Sequence, residues 1–227
     1  MHKHFLLSVL LLSLCLGCGT GEYESRIGQH KGGAAGGDLL GPADELVGTR
    51  ISIRAPACMT LLPPGTDPKR AKGIPMALPG VQQRTYEGFV EDTDGGKTPF
   101  YFHVITMEVP KAPGVNIMEQ TKTMMSKVPG HAPPQFAEFQ ATSPDGKESK
   151  WQMAHLSDKD EFYYKGKDGK DLLRSMPDVE EMYLREDAGY FIMIGWRVPS
   201  NIEQNVGGVG LAELAKAAAG GVSVKPQ

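Results

Sequence analysis

The side chains best equipped for chemistry are three thiols, Cys15, Cys18 and Cys58, and two imidazoles set in apolar stretches, His103 and His155. A cysteine nucleophile needs a cationic or imidazole neighbour to hold its thiolate. Cys58 stands between Ala57 and Met59 with no such group nearby, so it is expected to be a buried, inert thiol. His103 shares a strand face with Tyr101, Ile105 and Met107, and His155 shares one with Trp151 and Met153. Either could act as a base or ligand, but imidazoles among apolar neighbours are expected to be hydrogen-bonded core or near-edge groups. Within the domain no pair of histidines at metal-ligand spacing offers two ligands from one element.

Asp158, Asp160 and Glu161 cluster in what reads as a loop, with oxygens that suit Ca²⁺ but without EF-hand spacing. A solvated acidic turn is expected there and at Asp92-Thr93-Asp94-Gly95. Glu180, Glu181 and Glu186, near Arg185, are expected on the exposed faces of an edge-side strand. Gly207-Gly208-Val209-Gly210 lacks the Gly-Lys-Ser/Thr of a phosphate loop and reads as a helix lead-in. Arg197 faces away from Trp196 and is the residue best placed for a surface anion contact. Residues 49–224 hold no Walker loop, zincin helix, Cys-x-x-Cys or Gly-x-Ser-x-Gly elbow. No catalytic residue, cofactor or metal site is therefore assigned.

The remaining thiol chemistry lies at the start of the chain. Lys3 precedes an apolar-biased run from Phe5 to Leu16, which stops at Gly17-Cys18. Twelve residues cannot cross a hydrocarbon core of about 30 Å, so the run is expected to be a signal-peptide core. Leu16-Gly17-Cys18 resembles the lipobox of bacterial lipoproteins, although Cys15 stands where that pattern favours Leu. The resemblance implies cleavage after Gly17, a diacylglyceryl group and an N-acyl chain such as palmitate on Cys18, and anchoring on the periplasmic or outer side of an inner or outer membrane. Two acyl signals make such an anchor lasting, whereas one chain binds only marginally. Ordinary secretion, with Cys18 incidental, is the alternative. With Cys15 removed and Cys18 lipidated, Cys58 has no partner for an internal disulfide.

Behind Cys18, residues 19–48 hold nine glycines and too little apolar surface to offset their ordering entropy. Residues 18–48 are read as a tether with a reach of roughly 30 Å, with 38–49 able to dock on the domain edge. Lys and Arg number 24 against 27 Asp and Glu, for a net charge of −3, and no basic block suggests nucleic acid as a partner. Lys69-Arg70-Ala71-Lys72 is expected to be a solvated loop tip.

These residues need a scaffold, and the period of the apolar positions supplies one from about 49 to 224, with a tail at 225–227. Arg50–Arg54 alternates as a strand, and so does Arg84–Glu91. Phe100–Val109 is apolar on both sides, as a central strand with both faces covered would be. Asn116 caps a helix over Ile117–Val128, whose inner face is Ile117, Met118, Thr121, Met124, Met125 and Val128, ended by Pro129-Gly130. Phe136–Thr142 and Lys150–Leu156 form a hairpin around Pro144-Asp145-Gly146. A short strand covers Glu161–Tyr164, and Val179–Glu186 and Tyr190–Val198 form a second hairpin turning at Asp187-Ala188-Gly189. Leu211, Leu214, Ala215 and Ala218 mark a closing helix.

Strands, a helix, more antiparallel strands and a final helix predict an α+β domain, an antiparallel β-sheet with packed helices. The element order resembles the PsbP-like sandwich of photosystem II extrinsic proteins and bacterial relatives. Arg50-Ile-Ser-Ile-Arg-Ala-Pro56, the mid-chain helix, Gly189-Tyr-Phe-Ile-Met-Ile-Gly-Trp196 and the terminal helix carry that resemblance. It implies a non-enzymatic binding or assembly factor. The expected function is thus a lipid-anchored cell-envelope module, with the membrane and an envelope protein as partners. The alternatives are a hydrolase using His103 or His155 with a carboxylate, or a metal or anion carrier using residues 158–161.

Overall fold

The computed structural model describes residues 39–67, 80–127 and 133–226. Signal segment 1–17, Cys18, most of the tether, the 69–72 cluster and the 128–130 helix end lie outside them. The described residues form ten strands: β1 (Leu40–Glu45), β2 (Ile51–Pro56), β3 (Thr60–Leu61), β4 (Gln82–Glu91), β5 (Lys97–Glu108), β6 (Phe136–Thr142), β7 (Glu148–Lys165), β8 (Asp171–Asp187), β9 (Tyr190–Pro199) and β10 (Ser223–Val224). Helix α1 spans Ile117–Met125 and α2 spans Leu211–Gly220, with a 3-10 segment over Ser200–Gly208.

Seven strands form one antiparallel sheet in the order β3-β4-β5-β9-β8-β7-β6, and β1-β2-β10 form a second. The domain is built of antiparallel β-sheets with a few helices, and strand outweighs helix. β5 is central, between β4 and β9, and Phe100 to Ile105 are buried without a break, as the two-sided apolar run predicts. Leu40–Glu45, within the segment read as tether, pairs with β2 across a turn in which Thr49 Oγ1 donates to the Leu46 carbonyl at 2.8 Å.

The two faces of the large sheet are built differently. One carries the main core, where Phe102, Tyr183, Ile192, Ile194, Trp196 and their neighbours pack with Leu211, Leu214, Ala215 and Ala218 of α2 and with Ile51 and Ile53 of β2. Trp196 lies 4.7 Å from Phe102 between ring centroids. α2 comes so close to β6 that a Cβ on Gly220 would sit 2.2 Å from the Thr142 carbonyl oxygen, so glycine is needed there for close approach. On the other face Ile105, Met182, Leu184, Phe191 and Met193 form a smaller cluster with Ile117, Met118 and Met125 packed against it.

Helix α1 starts as expected: Asn116 Oδ1 accepts from the Glu119 backbone N–H at 3.0 Å. It is shorter than its apolar pattern, because Ser126 caps it and turns its hydroxyl back to the Lys122 carbonyl. Met124, assigned to the inner face, is instead exposed. A further cap comes from outside the helix, since Glu186 Oε1 of β8 accepts from the Met118 N–H at 3.3 Å. A carboxylate there meets the positive end of the helix dipole.

The largest departure concerns β7 and β8. The sequence pattern breaks them into short strands around an acidic loop, yet each runs unbroken for 18 and 17 residues. Asp158, Asp160 and Glu161 are strand residues, not loop residues. Past Pro199, where β9 ends opposite Asp178, the two strands continue as a two-stranded arm. The arm folds over so that Lys165 pairs with Lys97, and β5-β9-β8-β7 close into a ring. Closure of this kind covers backbone edges that an open ribbon leaves bare.

Candidate functional site

Strand register sets the polar groups of the α1-side face side by side. Glu87 stands opposite Tyr101, Tyr101 opposite Arg197, and Arg197 opposite Glu180. Arg197 is the hub. Its Nη1 lies 3.0 Å from Asp160 Oδ2, its Nε lies 3.4 Å from Asp178 Oδ2, and Nη2 pairs with Glu180 Oε1. Asp178 is fully buried, and it faces Asp158 across the β7–β8 ladder. The like-charge repulsion is offset by the guanidinium, whose planar fork reaches several carboxylates at once. One cation thus meets three carboxylates drawn from three positions on β7 and β8.

Around this hub lie further polar groups. Tyr101 donates to Glu87 Oε1 at 3.2 Å, and the Tyr101 ring stacks near Phe162 of the arm, with centroids 6.3 Å apart. His103 is buried one pair along, its Nδ1 3.1 Å from Thr85 Oγ1 and its Nε2 without a hydrogen-bond partner in the structure. Burial, and then the Arg197 charge, push its pKa down to about 3, so the imidazole is neutral. Tyr164 of the arm donates to Asp94 Oδ1 at 2.9 Å, and Arg174 lies over the Tyr164 ring at 3.6 Å. Those bonds to Gly96 N–H and Tyr164 hold the Asp94 carboxyl below the usual range.

The expected anion contact at Arg197 is corrected by this geometry. Its guanidinium is already surrounded by carboxylates, which would repel an incoming anion. The same pairing takes Asp160 out of the supposed cation loop. Among the described residues no group of three or more His, Cys, Asp or Glu is placed to hold a metal ion. Chemically the cluster acts as a latch, joining arm to sheet. Sequence reasoning missed it because the partners lie far apart in the chain, and only the facing of Arg197 away from Trp196 hinted at it.

The opposite face carries a second polar group. His155 is half-exposed, and its Nδ1 lies 3.6 Å from Glu181 Oε1, a charge contact longer than a hydrogen bond. Glu181 is buried and accepts from Tyr183 Oη at 2.5 Å. Burial and the Glu181 charge raise the Tyr183 pKa far above its ordinary value. Glu181 and Arg185, expected on an exposed edge-side strand, are instead inside, because β8 runs between β7 and β9. Arg185 covers the Trp151 ring at 4.6 Å and pairs with Asp187 at 3.1 Å. An imidazole beside a buried carboxylate is half of a base-and-orienter arrangement, and the hydroxyl that reaches it, Tyr183 Oη, bonds Glu181 and not His155.

Cys58 departs from its expected burial. The residue is exposed, but its Sγ lies against the 3-10 segment, 3.4 Å from where a Gly207 Cβ would be. That local burial raises the thiol to about 11, so it is protonated at neutral pH and a poor nucleophile. Gly207 and Gly210 hold positive φ, and Gly210 precedes the first turn of α2. The glycine run is thus a helix lead-in. No described helix is long and apolar enough to cross a membrane.

The fold and its polar clusters define an antiparallel α+β domain with a latched arm. No family model matches the chain, and no curated protein matches it. Among solved structures, cyanobacterial PsbP (CyanoP) from Synechocystis sp. PCC 6803 is similar at 12% identity and a TM-score of 0.42, over 85% of this chain and 96% of that one. The Saccharomyces cerevisiae Ran-binding protein Mog1p is similar at 16% identity and a TM-score of 0.40, over 81% and 94%. A Bacteroides thetaiotaomicron protein is similar at 10% identity and a TM-score of 0.41, over 80% of this chain, which spans only 48% of that protein. Such low scores carry none of these proteins' functions to this chain.

Proposed function

We propose that this chain is a lipid-anchored cell-envelope protein whose α+β domain, of PsbP-like layout, works as a non-enzymatic binding or assembly module. The carrying observation is the Leu16-Gly17-Cys18 junction after the Phe5–Leu16 apolar run. The domain supports the module half of the reading: Arg197 is engaged with Asp160, Asp178 and Glu180, and Arg185 with Asp187. Groups held this way shape a surface.

Labelling cells with a radioactive fatty acid tests the anchor. Incorporation is expected in the natural chain and abolished by Cys18→Ser; label that persists in the variant refutes the assignment. A second reading, a hydrolase, is favoured by the 3.6 Å approach of His155 to the buried Glu181 carboxylate. Turnover of a p-nitrophenyl ester that is lost on His155→Ala would replace the module reading with that one.

A further inference from the structure

The outer strands of the two sheets are not finished alike. By strand order they are β1 and β10 in the small sheet, and β3 and β6 in the large one. β3 and β10 have two residues each, and β1 holds Pro42 and a break in register between Leu40 and Ala43. Shortness, proline and bulging all stop an edge from pairing with another chain. β6, Phe136-Ala-Glu-Phe-Gln-Ala-Thr142, has none of them. It is seven residues long, contains neither Pro nor Lys, and keeps its register with β7 throughout.

One bond fixes which of its backbone groups point outward. Ser143 N–H donates to the Lys147 carbonyl at 2.8 Å. Antiparallel ladders alternate, so the odd-numbered residues of β6 bond to β7 and the even-numbered ones face away. The outward Thr142 carbonyl is met by the end of α2 at Gly220. Phe136, Glu138 and Gln140 remain, and among the described residues no backbone bond reaches their outward groups. Glu138 and Gln140 are exposed, and Phe139 between them is half-buried against Tyr183, with ring centroids 4.8 Å apart.

This edge is complementary to itself in one register. About a two-fold axis at Phe139, Glu138 of each copy meets Gln140 of the other, and their outward N–H and C=O groups exchange four bonds. The two Phe139 rings then face each other at a non-hydrogen-bonded position, where cross-strand side chains come closest. An axis at Glu138 would set that carboxylate against its own copy, which is destabilising. An axis at Gln140 would bring Glu138 to Thr142, whose carbonyl α2 already covers. We infer that β6 is a self-association edge, through which two copies of this chain pair antiparallel about Phe139 and join their seven-stranded sheets into one. The pairing goes beyond the proposed anchor and does not depend on it.

The full chain carrying Cys15→Ser, Cys18→Ser and Cys58→Ser has neither lipid nor native thiols and tests the pairing alone. In sedimentation it is expected to show a monomer–dimer equilibrium. Gln140→Pro removes an outward N–H and no β7 bond, so it is expected to weaken the dimer roughly 30-fold, two net hydrogen bonds being lost by symmetry. In the same background Phe139→Cys is expected to give a disulfide-linked dimer on mild oxidation, since facing Cα atoms there lie about 4.5 Å apart. Glu138→Cys alone is expected not to cross-link, but to do so when mixed with Gln140→Cys. That mixture decides the register if Phe139→Cys does not fold. A chain that stays monomeric at every concentration overturns the inference, as it would if β6 instead takes a strand from another protein. So does association unchanged by Gln140→Pro, or equal cross-linking at 138 alone and at 139.

Discussion

Arg197 is one side chain answering three carboxylates, and its removal takes a guanidinium away from the fully buried Asp178. Breaking one side of a buried ionic cluster costs about 3–5 kcal/mol, so Arg197→Ala is expected to lower unfolding free energy by roughly that amount in urea titrations. A cost under about 1 kcal/mol, the worth of an exposed ion pair, would mean the latch contributes little. His103 gives a pH signature of its own. In the fold its pKa is depressed to about 3, while the unfolded chain protonates near the ordinary 6.5. Above 6.5 both states hold a neutral imidazole and the full stability is present. As pH falls from 6.5 toward 3 only the unfolded chain takes up the proton, and stability drops by about 1.4 kcal/mol per pH unit. His103→Gln should show a shallower slope in that window than the natural chain, measured by denaturant midpoints at pH 7, 5.5 and 4.5. Parallel slopes would place the acid sensitivity elsewhere.

At the scale of elements, two turns carry tests. In the β8–β9 hairpin Ala188 has φ of +49° and Gly189 φ of +86°, the pair of positive values that a type I′ turn needs. Alanine is costly in that region and asparagine is tolerated, so Ala188→Asn is expected to stabilise the domain by about 0.5–1 kcal/mol, read as a raised Tm. Near the tip of the arm a Cβ on Gly96 would lie 1.5 Å from Tyr164 Oη. Gly96→Ala is therefore expected to break the Tyr164–Asp94 bond and cost about 1–3 kcal/mol through overpacking. Hydrogen exchange should speed up first along the outer halves of β7 and β8; uniform change across the domain would contradict a local arm. The elements legible in the sequence were those governed by their own pattern. β5 has its unbroken apolar run, α1 its Asn116 cap, and α2 its 3.6-residue stripe. The arm was not legible, because Ser157–Glu161 alternates nothing and is held extended by an arginine some forty positions later.

For the whole molecule, sequence and structure inform different parts. The anchor at Cys18 is a reading of short-range chemistry, a small residue before a thiol behind an apolar run, and such motifs need no tertiary context. The polar hub needed the register of four strands to appear, so composition alone spread its members among supposed loops and surfaces. The placement of β10 adds a consequence for how the domain is made. Ser223 and Val224 pair with Ser52 and Ile51, Lys225 N–H donates to the Arg50 carbonyl at 2.8 Å, and Arg54 N–H donates to Gly221 at 3.0 Å. The second strand therefore waits for residues 221–225 to close its free edge. If the chain is exported as proposed, this edge would stay unfinished until those residues had followed.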